Sequence, residues 1–333
     1  MLRLLERQRA LLSSGKLLVV DPPADYVRWF TQLDGASGVC LNWSAAQEVE
    51  GTGAWGFGGL PSTPLADHAI VFQPKARDRL ELLLQIAADG TGAKAPVFLI
   101  GENRAGIKSE MRRLPLYLDG VKKVDAAAHA VIYSGQSRQV EAAPNALEAF
   151  RSKSRYEIAG LNIDVASYPG VFGHNGLDAG TRLLLENTAP SEGKILDYGC
   201  GSGVIAAWML ASNTDSEVDC LDCDALAVAA THATLVANGV ENRARVFAGD
   251  RLDHRTAKYD LIISNPPFHT GIRRDLTIVQ RLLEVAPGHL RRGGKIQLVA
   301  NVHLPYPKLL DKGYEWRVLT DNHKYRIYEA SPK

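Results

Sequence analysis

The sequence predicts an α/β protein made of two tandem copies of one domain, each a mostly parallel sheet with helices on both faces. Three observations carry this reading. From residue 190 onward, short β-branched runs alternate with longer helical stretches, the rhythm of parallel strands joined by crossover helices. The first half repeats that rhythm in the same order and spacing, the mark of a duplicated unit. A length of 333 residues also suits two domains of about 150 each. The expected domains are 1–150 and 151–333.

In chain order, the first half reads as a helix over 1–13, a strand at 16–21, a helix over 24–33, and strands at 38–41 and 69–72. A helix over 76–88 and strands at 96–100 and 130–133 complete it. The stretch 135–168 is polar and turn-rich and contains RSKSR at 151–155, which reads as a linker or a nucleic-acid contact. In the second half, strands are expected at 194–197, 218–221, 244–247, 260–264 and 295–300, with helices over 203–212, 225–238 and 274–290. Two final strands, 316–320 and 325–329, have no helix between them, so an antiparallel hairpin is expected to close the sheet edge. The repeat pairs HAIVFQPK (68–75) with DLIISNPPF (260–268) and APVFLIGENRAGIKS (95–109) with GKIQLVANVHLPYPK (294–308). Where the second half has KILDYGCGSG the first has KLLVVDPPAD, without a glycine loop.

Composition narrows the function classes. With 46% hydrophobic and 23% charged residues the chain is neither disordered nor fibrous. Lys plus Arg number 38 against 37 Asp plus Glu, and neutrality holds on each side of residue 150, at 16 against 16 and then 22 against 21. Nothing at whole-chain level advertises a polyanionic partner. The longest apolar runs, such as 97–100 and 261–263, are strand-sized, so no membrane span is expected. Charges interrupt the leucines of MLRLLERQRALL, which reads as an amphipathic helix rather than a signal peptide and places the protein in the cytoplasm. Four irregularly spaced cysteines make no disulfide framework, and Cys220-x-x-Cys223 lacks the second pair that structural zinc requires. They read as buried thiols, and no metal is expected.

The loop from Asp197 through Gly199, Gly201 and Gly203 follows a strand and opens a helix, where a tight turn brings backbone and a helix N-terminus to a ligand. Its GxGxG spacing has one residue between the second and third glycines, against two in the dinucleotide fingerprint. Asp197 before the loop would repel a pyrophosphate but suits a cationic ammonium. Asp222 ends the next strand, placed to accept from both ribose hydroxyls, and Asp250 ends the third, placed to accept from an adenine amino group. The stretch 215–224 carries five acids and no base. A ribose-bearing adenosine ligand with an ammonium and no phosphate is S-adenosylmethionine.

Asn265-Pro266-Pro267-Phe268 follows the fourth strand, and two prolines fix a rigid extended turn. An amino group on a heteroaromatic ring is a poor nucleophile because its lone pair is delocalised. The Asn265 side-chain oxygen and the Pro266 carbonyl, accepting from that NH₂, would favour its pyramidal form and aim the lone pair at a sulfonium methyl. Phe268 would stack on the base, worth roughly 1–3 kcal/mol, comparable to the few kcal/mol needed to extrude a paired base.

On these residues the chain resembles the ribosomal RNA small subunit methyltransferase C family. The resemblance runs over nearly the whole length and rests on PGVF (169–172), GLDAGT (176–181), LDYGCGSG, ANGV (237–240), IISNPPFHTG and VANVHLPYP. It implies two Rossmann-like, S-adenosylmethionine methyltransferase-type domains, the first degenerate and serving folding and RNA binding. It further implies S-adenosylmethionine as donor and N2 of one guanosine of 16S rRNA, in the assembled 30S subunit, as acceptor. Carried onto this chain, the motifs assign Asn265, Pro266 and Phe268, with Pro267 between them, to the base, and Asp197, Gly199, Gly201, Asp222 and Asp250 to the cofactor. Phe172 and Asp178 would line its methionine end.

Six basic residues between 273 and 295 (Arg273, Arg274, Arg281, Arg291, Arg292, Lys295) face only Asp275 and Glu284, and are expected to meet RNA phosphates beside the base. A monomer is expected. The rival readings are an amino-group methyltransferase acting on adenine N6 or a protein glutamine and, from another class, a non-enzymatic RNA chaperone or assembly factor.

Overall fold

A computed structural model describes residues 1–59, 65–138, 146–252, 256–266 and 272–333, with backbone alone at 146 and 272–275. The chain divides into two compact units, Met1–Arg151 and Ser152–Lys333.

The first unit holds seven strands: β1 (Leu17–Val20), β2 (Ala36–Cys40), β3 (Trp55–Phe57), β4 (His68–Phe72), β5 (Pro96–Glu102), β6 (Leu118–Ala127) and β7 (Ala130–Ser137). They lie in the order β3-β2-β1-β4-β5-β7-β6. Pairing is parallel from β3 to β5 and antiparallel at β5–β7 and β7–β6. The inner strands β1 and β4 are buried throughout, which is why they read as unbroken apolar runs. The expected helix over 1–13 is two short pieces, Leu2–Arg7 and Arg9–Leu12. At the break, Gln8 leaves helical geometry and its amide donates to Asp125 of β6 at 2.7 Å.

The second unit begins with a hairpin, β8 (Ser152–Ile158) and β9 (Leu161–Ser167). It replaces the linker read from 135–168. Ala159 (φ 48°) and Gly160 (φ 81°) supply the two left-handed residues of its two-residue turn. Alternation explains why β8 looked like a basic turn: Lys153, Arg155 and Glu157 fall on the solvent face, and Arg155 pairs with Asp164 across the hairpin at 2.6 Å.

The sheet that follows comprises β10 (Gly193–Tyr198), β11 (Ser216–Asp222), β12 (Ala244–Ala248), β13 (Tyr259–Ser264), β14 (Leu290–Asn301), β15 (Tyr314–Asp321) and β16 (Tyr325–Pro332). Its order, β12-β11-β10-β13-β14-β16-β15, is that of the first sheet strand for strand. The expected terminal hairpin is β15–β16, antiparallel, and β16 also runs antiparallel to β14. Helix Val204–Ser212 is buried almost all round because the hairpin covers it, and Trp208 Nε1 donates to the Ile158 carbonyl at 3.1 Å. Side chains of the helix Ala225–Ala237 and its end satisfy the free edge of β9. Thr234 bonds both backbone groups of Ala166, and Asn238 both of Asp164, so an edge that would otherwise recruit another strand is closed.

Candidate functional site

The C-terminal ends of β10, β11 and β13 converge on the glycine loop. Gly199 and Cys200 donate their N–H groups to the Leu221 carbonyl at 2.8 and 3.1 Å, which turns the chain sharply after β10. Gly199, Gly201 and Gly203 have φ of 76°, 55° and 76°, left-handed conformations that glycine adopts without steric cost. At Gly203 space is also decisive: a Cβ there would lie 2.8 Å from the Thr231 Cα, so this glycine lets the helix Val204–Ser212 start against the helix Ala225–Ala237.

The Asp222 carboxylate accepts from Gly201 N–H (2.9 Å) and Asp224 N–H (2.9 Å), one to each oxygen. The Cys223 N–H also donates to this carboxylate. Burial pushes its pKa up to about 6, against the lowering effect of those N–H groups. Asp197 is 0% exposed. One of its oxygens accepts from Ala206 N–H at 3.2 Å, while the other is buried with no partner among the described residues. Burial raises its pKa to about 7, with the nearby Asp222 charge adding to the rise. A buried carboxylate oxygen without a donor fits a site built for a ligand cation.

Asn265 follows β13 and is 7% exposed. Its Nδ2 donates to Asp178 Oδ2 at 3.0 Å and to Thr181 Oγ1 at 2.7 Å, and its Oδ1 is buried without a partner among the described residues. The amide therefore shows an acceptor, the chemistry needed to meet an amino group. Pro266 is buried beside it. Pro267 and Phe268 lie outside the described residues, as do the side chains of Arg273 and Arg274.

Asp178 was expected at the cofactor's methionine end. It is the N-cap of the helix Ala179–Glu186, accepting from Thr181 N–H at 2.9 Å, and it holds Asn265. Phe172 and Asp178 also line one small cavity together with Thr181, Ser202 of the glycine loop and Tyr156 of the hairpin. Asp250 is exposed beyond β12, and its carbonyl accepts from the Tyr198 hydroxyl at 3.2 Å. It lines a larger cavity with Tyr198, Leu252, Arg281 and Val285. Thr181 and Tyr198 were not singled out from sequence. The available signal for Thr181 was an Asp three residues earlier, just before an apolar run, which marks a helix start.

The basic run after the fourth strand divides. Arg281 lies at the larger cavity, but Leu290 pairs with Tyr259, so Arg291 and Arg292 sit at the start of the parallel strands. Asn265 is six residues further along, roughly 20 Å away. Arg291 is paired with Asp260 at 2.6 Å and Lys295 with Glu329 at 3.3 Å. Arg291 and Arg292 cannot flank a base held at Asn265, because parallel pairing carries them to the opposite end of the sheet, and Lys295 pairs with Leu261 in mid-strand and is tied to Glu329.

Cys40, Cys200 and Cys220 are buried and Cys223 half-buried; burial pushes the Cys223 thiol up to about 12. Among the described residues no group of three or more His, Cys, Asp or Glu is arranged to hold a metal, and no helix is long and apolar enough to cross a membrane.

Comparison with known proteins gives a consistent result. Residues 162–329 match the Methyltransferase small domain family and residues 3–153 the Methyltransferase small domain N-terminal family. The ribosomal RNA small subunit methyltransferase C of Stutzerimonas stutzeri is 36% identical over 97% of this chain and 96% of its own. The protein of the same name from Shewanella loihica is 37% identical over 81% of this chain and 78% of its own. Among solved structures, the T. thermophilus 16S rRNA N2 G1207 methyltransferase in complex with AdoMet and guanosine superimposes with a TM-score of 0.81. That alignment covers 96% of this chain and 88% of the other at 22% identity, which speaks to the fold.

Proposed function

The chain belongs to the ribosomal RNA small subunit methyltransferase C family, and from that premise we propose that it methylates the exocyclic N2 amine of one guanosine of 16S rRNA in the assembled 30S subunit, with S-adenosylmethionine as donor. The observation that carries the amino-group chemistry is the buried Oδ1 of Asn265, which has no partner among the described residues, on an amide whose nitrogen is held by Asp178 and Thr181.

S-adenosylmethionine would supply a methyl group from a sulfonium cation, the S–CH₃ bond breaking with its electron pair to leave a neutral thioether. The residues present fit this donor. Asp197 offers the ammonium a buried oxygen with no donor among the described residues, and the Asp222 carboxylate suits the ribose hydroxyls. Gly199 and Gly201 keep side chains out of the loop. Asp250 belongs to the adenine side, in the cavity with Tyr198 and Leu252, and Phe172 and Asp178 to the methionine side.

Asn265 Oδ1 accepts one hydrogen of the guanine amino group and the Pro266 carbonyl the other, which localises the lone pair on N2 and directs it away from the ring. As the new N–C bond forms, N2 becomes positive and both acceptors bind it more tightly, so their contribution is greatest in the transition state. N2 then releases one proton to solvent. Phe268 is assigned to stacking on the base and Pro267 to stiffening the turn. On this reading the enzyme is a cytoplasmic monomer, and the first unit supports folding and RNA contact.

The test uses small subunits from cells lacking the gene, incubated with methyl-labelled cofactor and digested to nucleosides. Label is expected in N2-methylguanosine, at no more than one methyl group per subunit. Label in N6-methyladenosine, or in protein alone, would overturn the guanine assignment. Absence of both cofactor binding and transfer would favour an RNA chaperone. Sedimentation of the purified protein checks the monomer.

A further inference from the structure

The side-chain amide of Asn265 could present either its oxygen or its nitrogen to the acceptor, and only the oxygen can receive an N–H. The surroundings decide which. Asp178 Oδ2 lies 3.0 Å from Asn265 Nδ2 and also accepts from Thr181 N–H, and an ionised carboxylate can only accept. Thr181 Oγ1 takes the second Nδ2 hydrogen at 2.7 Å, and its own hydroxyl hydrogen lies toward Asp178 Oδ2 at 3.5 Å. Both amide hydrogens are thus occupied. Turning the amide over would set its oxygen against a carboxylate and lose the bond to Asp178, and the Thr181 hydroxyl would have to turn its hydrogen from Asp178 to the amide, so the carboxylate fixes the sense and Thr181 holds the amide to it. The arrangement is compact: Thr181 is 3% exposed, and a Cβ at Gly180 would come within 2.9 Å of the same Asp178 oxygen.

We propose that Thr181, with Asp178, is a positioning residue for methyl transfer, fixing the Asn265 amide with its oxygen toward the acceptor amine. The inference rests on the role of Asn265 given above. Because the bond from Oδ1 strengthens as N2 acquires charge, loss of the latch lowers kcat far more than it changes KM for the subunit or Kd for the cofactor.

The experiment compares Thr181→Val, Thr181→Ser, Asn265→Ala and the double variant Thr181→Val/Asn265→Ala, in single-turnover methylation of unmodified small subunits and in cofactor titration. Thr181→Val is expected to lower the rate by about 10–100-fold, with cofactor Kd within about threefold. Thr181→Ser, which keeps the oxygen, is expected to restore most of the rate. In the Asn265→Ala background Thr181→Val is expected to add less than about twofold, because the side chain it orients is gone. A wild-type rate for Asn265→Ala would defeat the amino-group reading itself. A slow Asn265→Ala beside an unaffected Thr181→Val would defeat the positioning role alone, as would additive losses in the double variant or a serine variant as slow as the valine one. If Thr181→Val fails to bind cofactor or to fold, Asp178→Ser replaces it: serine keeps the N-cap oxygen but is too short to reach Asn265, and the rate is read at saturating cofactor because Asp178 also lies on the methionine side. A loss of rate that vanishes in the Asn265→Ala background supports the latch, and an additive loss or an unchanged rate overturns it.

Discussion

The two sheets share one topology, and the same positions carry opposite chemistry in each. A common feature fixes the frame: Lys16 N–H donates to Asp67 Oδ2 at 2.7 Å in the first, and Lys194 N–H to Asp260 Oδ2 at 2.7 Å in the second. Counting from there, Val19 pairs with Gly38 and Ile70, as Asp197 pairs with Cys220 and Ile263. Two residues further along each neighbouring strand, Cys40 stands where Asp222 does and Phe72 where Asn265 does. Val19, Cys40 and Phe72 are at most 3% exposed. Pro23 occupies the place of Gly201, so the N–H that orients Asp222 has no counterpart. One backbone therefore supports either a site or a core. The difference lies in whether three strand-end positions hold acceptors or apolar groups, and whether the loop has backbone donors.

The largest contrast is at Phe72 and Asn265. Asn265→Ala is expected to lower kcat by on the order of 10²–10³ with cofactor Kd nearly unchanged. Phe72→Ala is expected to act on stability, by about 3–5 kcal/mol of cavity formation, measured by denaturant unfolding of the full chain. A methylation defect at Phe72 without loss of stability would break the comparison.

Exchanging the pair on the central strands comes next. Val19→Asp buries a carboxylate without a partner and is expected to destabilise the first unit by about 3–5 kcal/mol. Asp197→Val is expected to abolish measurable cofactor binding without lowering the melting temperature of the free protein at pH 8. The sign follows from the raised pKa. The folded protein binds more protons than the unfolded one between the ordinary carboxylate value of 3.8 and about 7, so this group reduces stability as pH rises through that window. A lower melting temperature for Asp197→Val would show that the carboxylate supports the fold.

The same group predicts a smaller effect on binding. An ammonium beside Asp197 favours its ionised form, so cofactor affinity is expected to rise with pH up to about 7, by at most about tenfold per unit, with proton release on binding. Calorimetry at pH 6.5 in buffers of different ionisation enthalpy measures that proton. Its absence would remove Asp197 from the ammonium site. The smallest effect is expected at Arg291→Ala. Because Arg291 sits at the far end of the strands, KM for the subunit should change less than about twofold, whereas Arg281→Ala should weaken subunit binding and reduce its salt dependence. A reduced salt slope for Arg291→Ala would restore that residue to the RNA path.

Much of the fold was legible because inner parallel strands are buried on both faces and read as unbroken apolar runs, and because the glycine loop, Asp197, Asp222 and Asn265 sit at strand ends that periodicity marks. The hairpin β8–β9 was not legible. Its charges fall on alternate residues of a solvent face and its apolar partners, the helix Val204–Ser212 among them, come from later in the chain. The split of the basic run was hidden too, since nearness to NPPF in sequence does not reveal that β14 starts again at the opposite end of the sheet.

What the sequence determined by itself was local: which segments form strands and helices, where the backbone must turn on glycine, and which side chains can accept from an ammonium, a ribose or an amino group. The tertiary structure decided what those groups face. Which oxygen of Asp197 lacks a donor among the described residues, which side of the Asn265 amide Asp178 and Thr181 hold, and which arginines lie beside the site all depend on distances between residues remote in sequence. Strand order and register set those distances, and burial makes each unpartnered group costly enough to define its ligand.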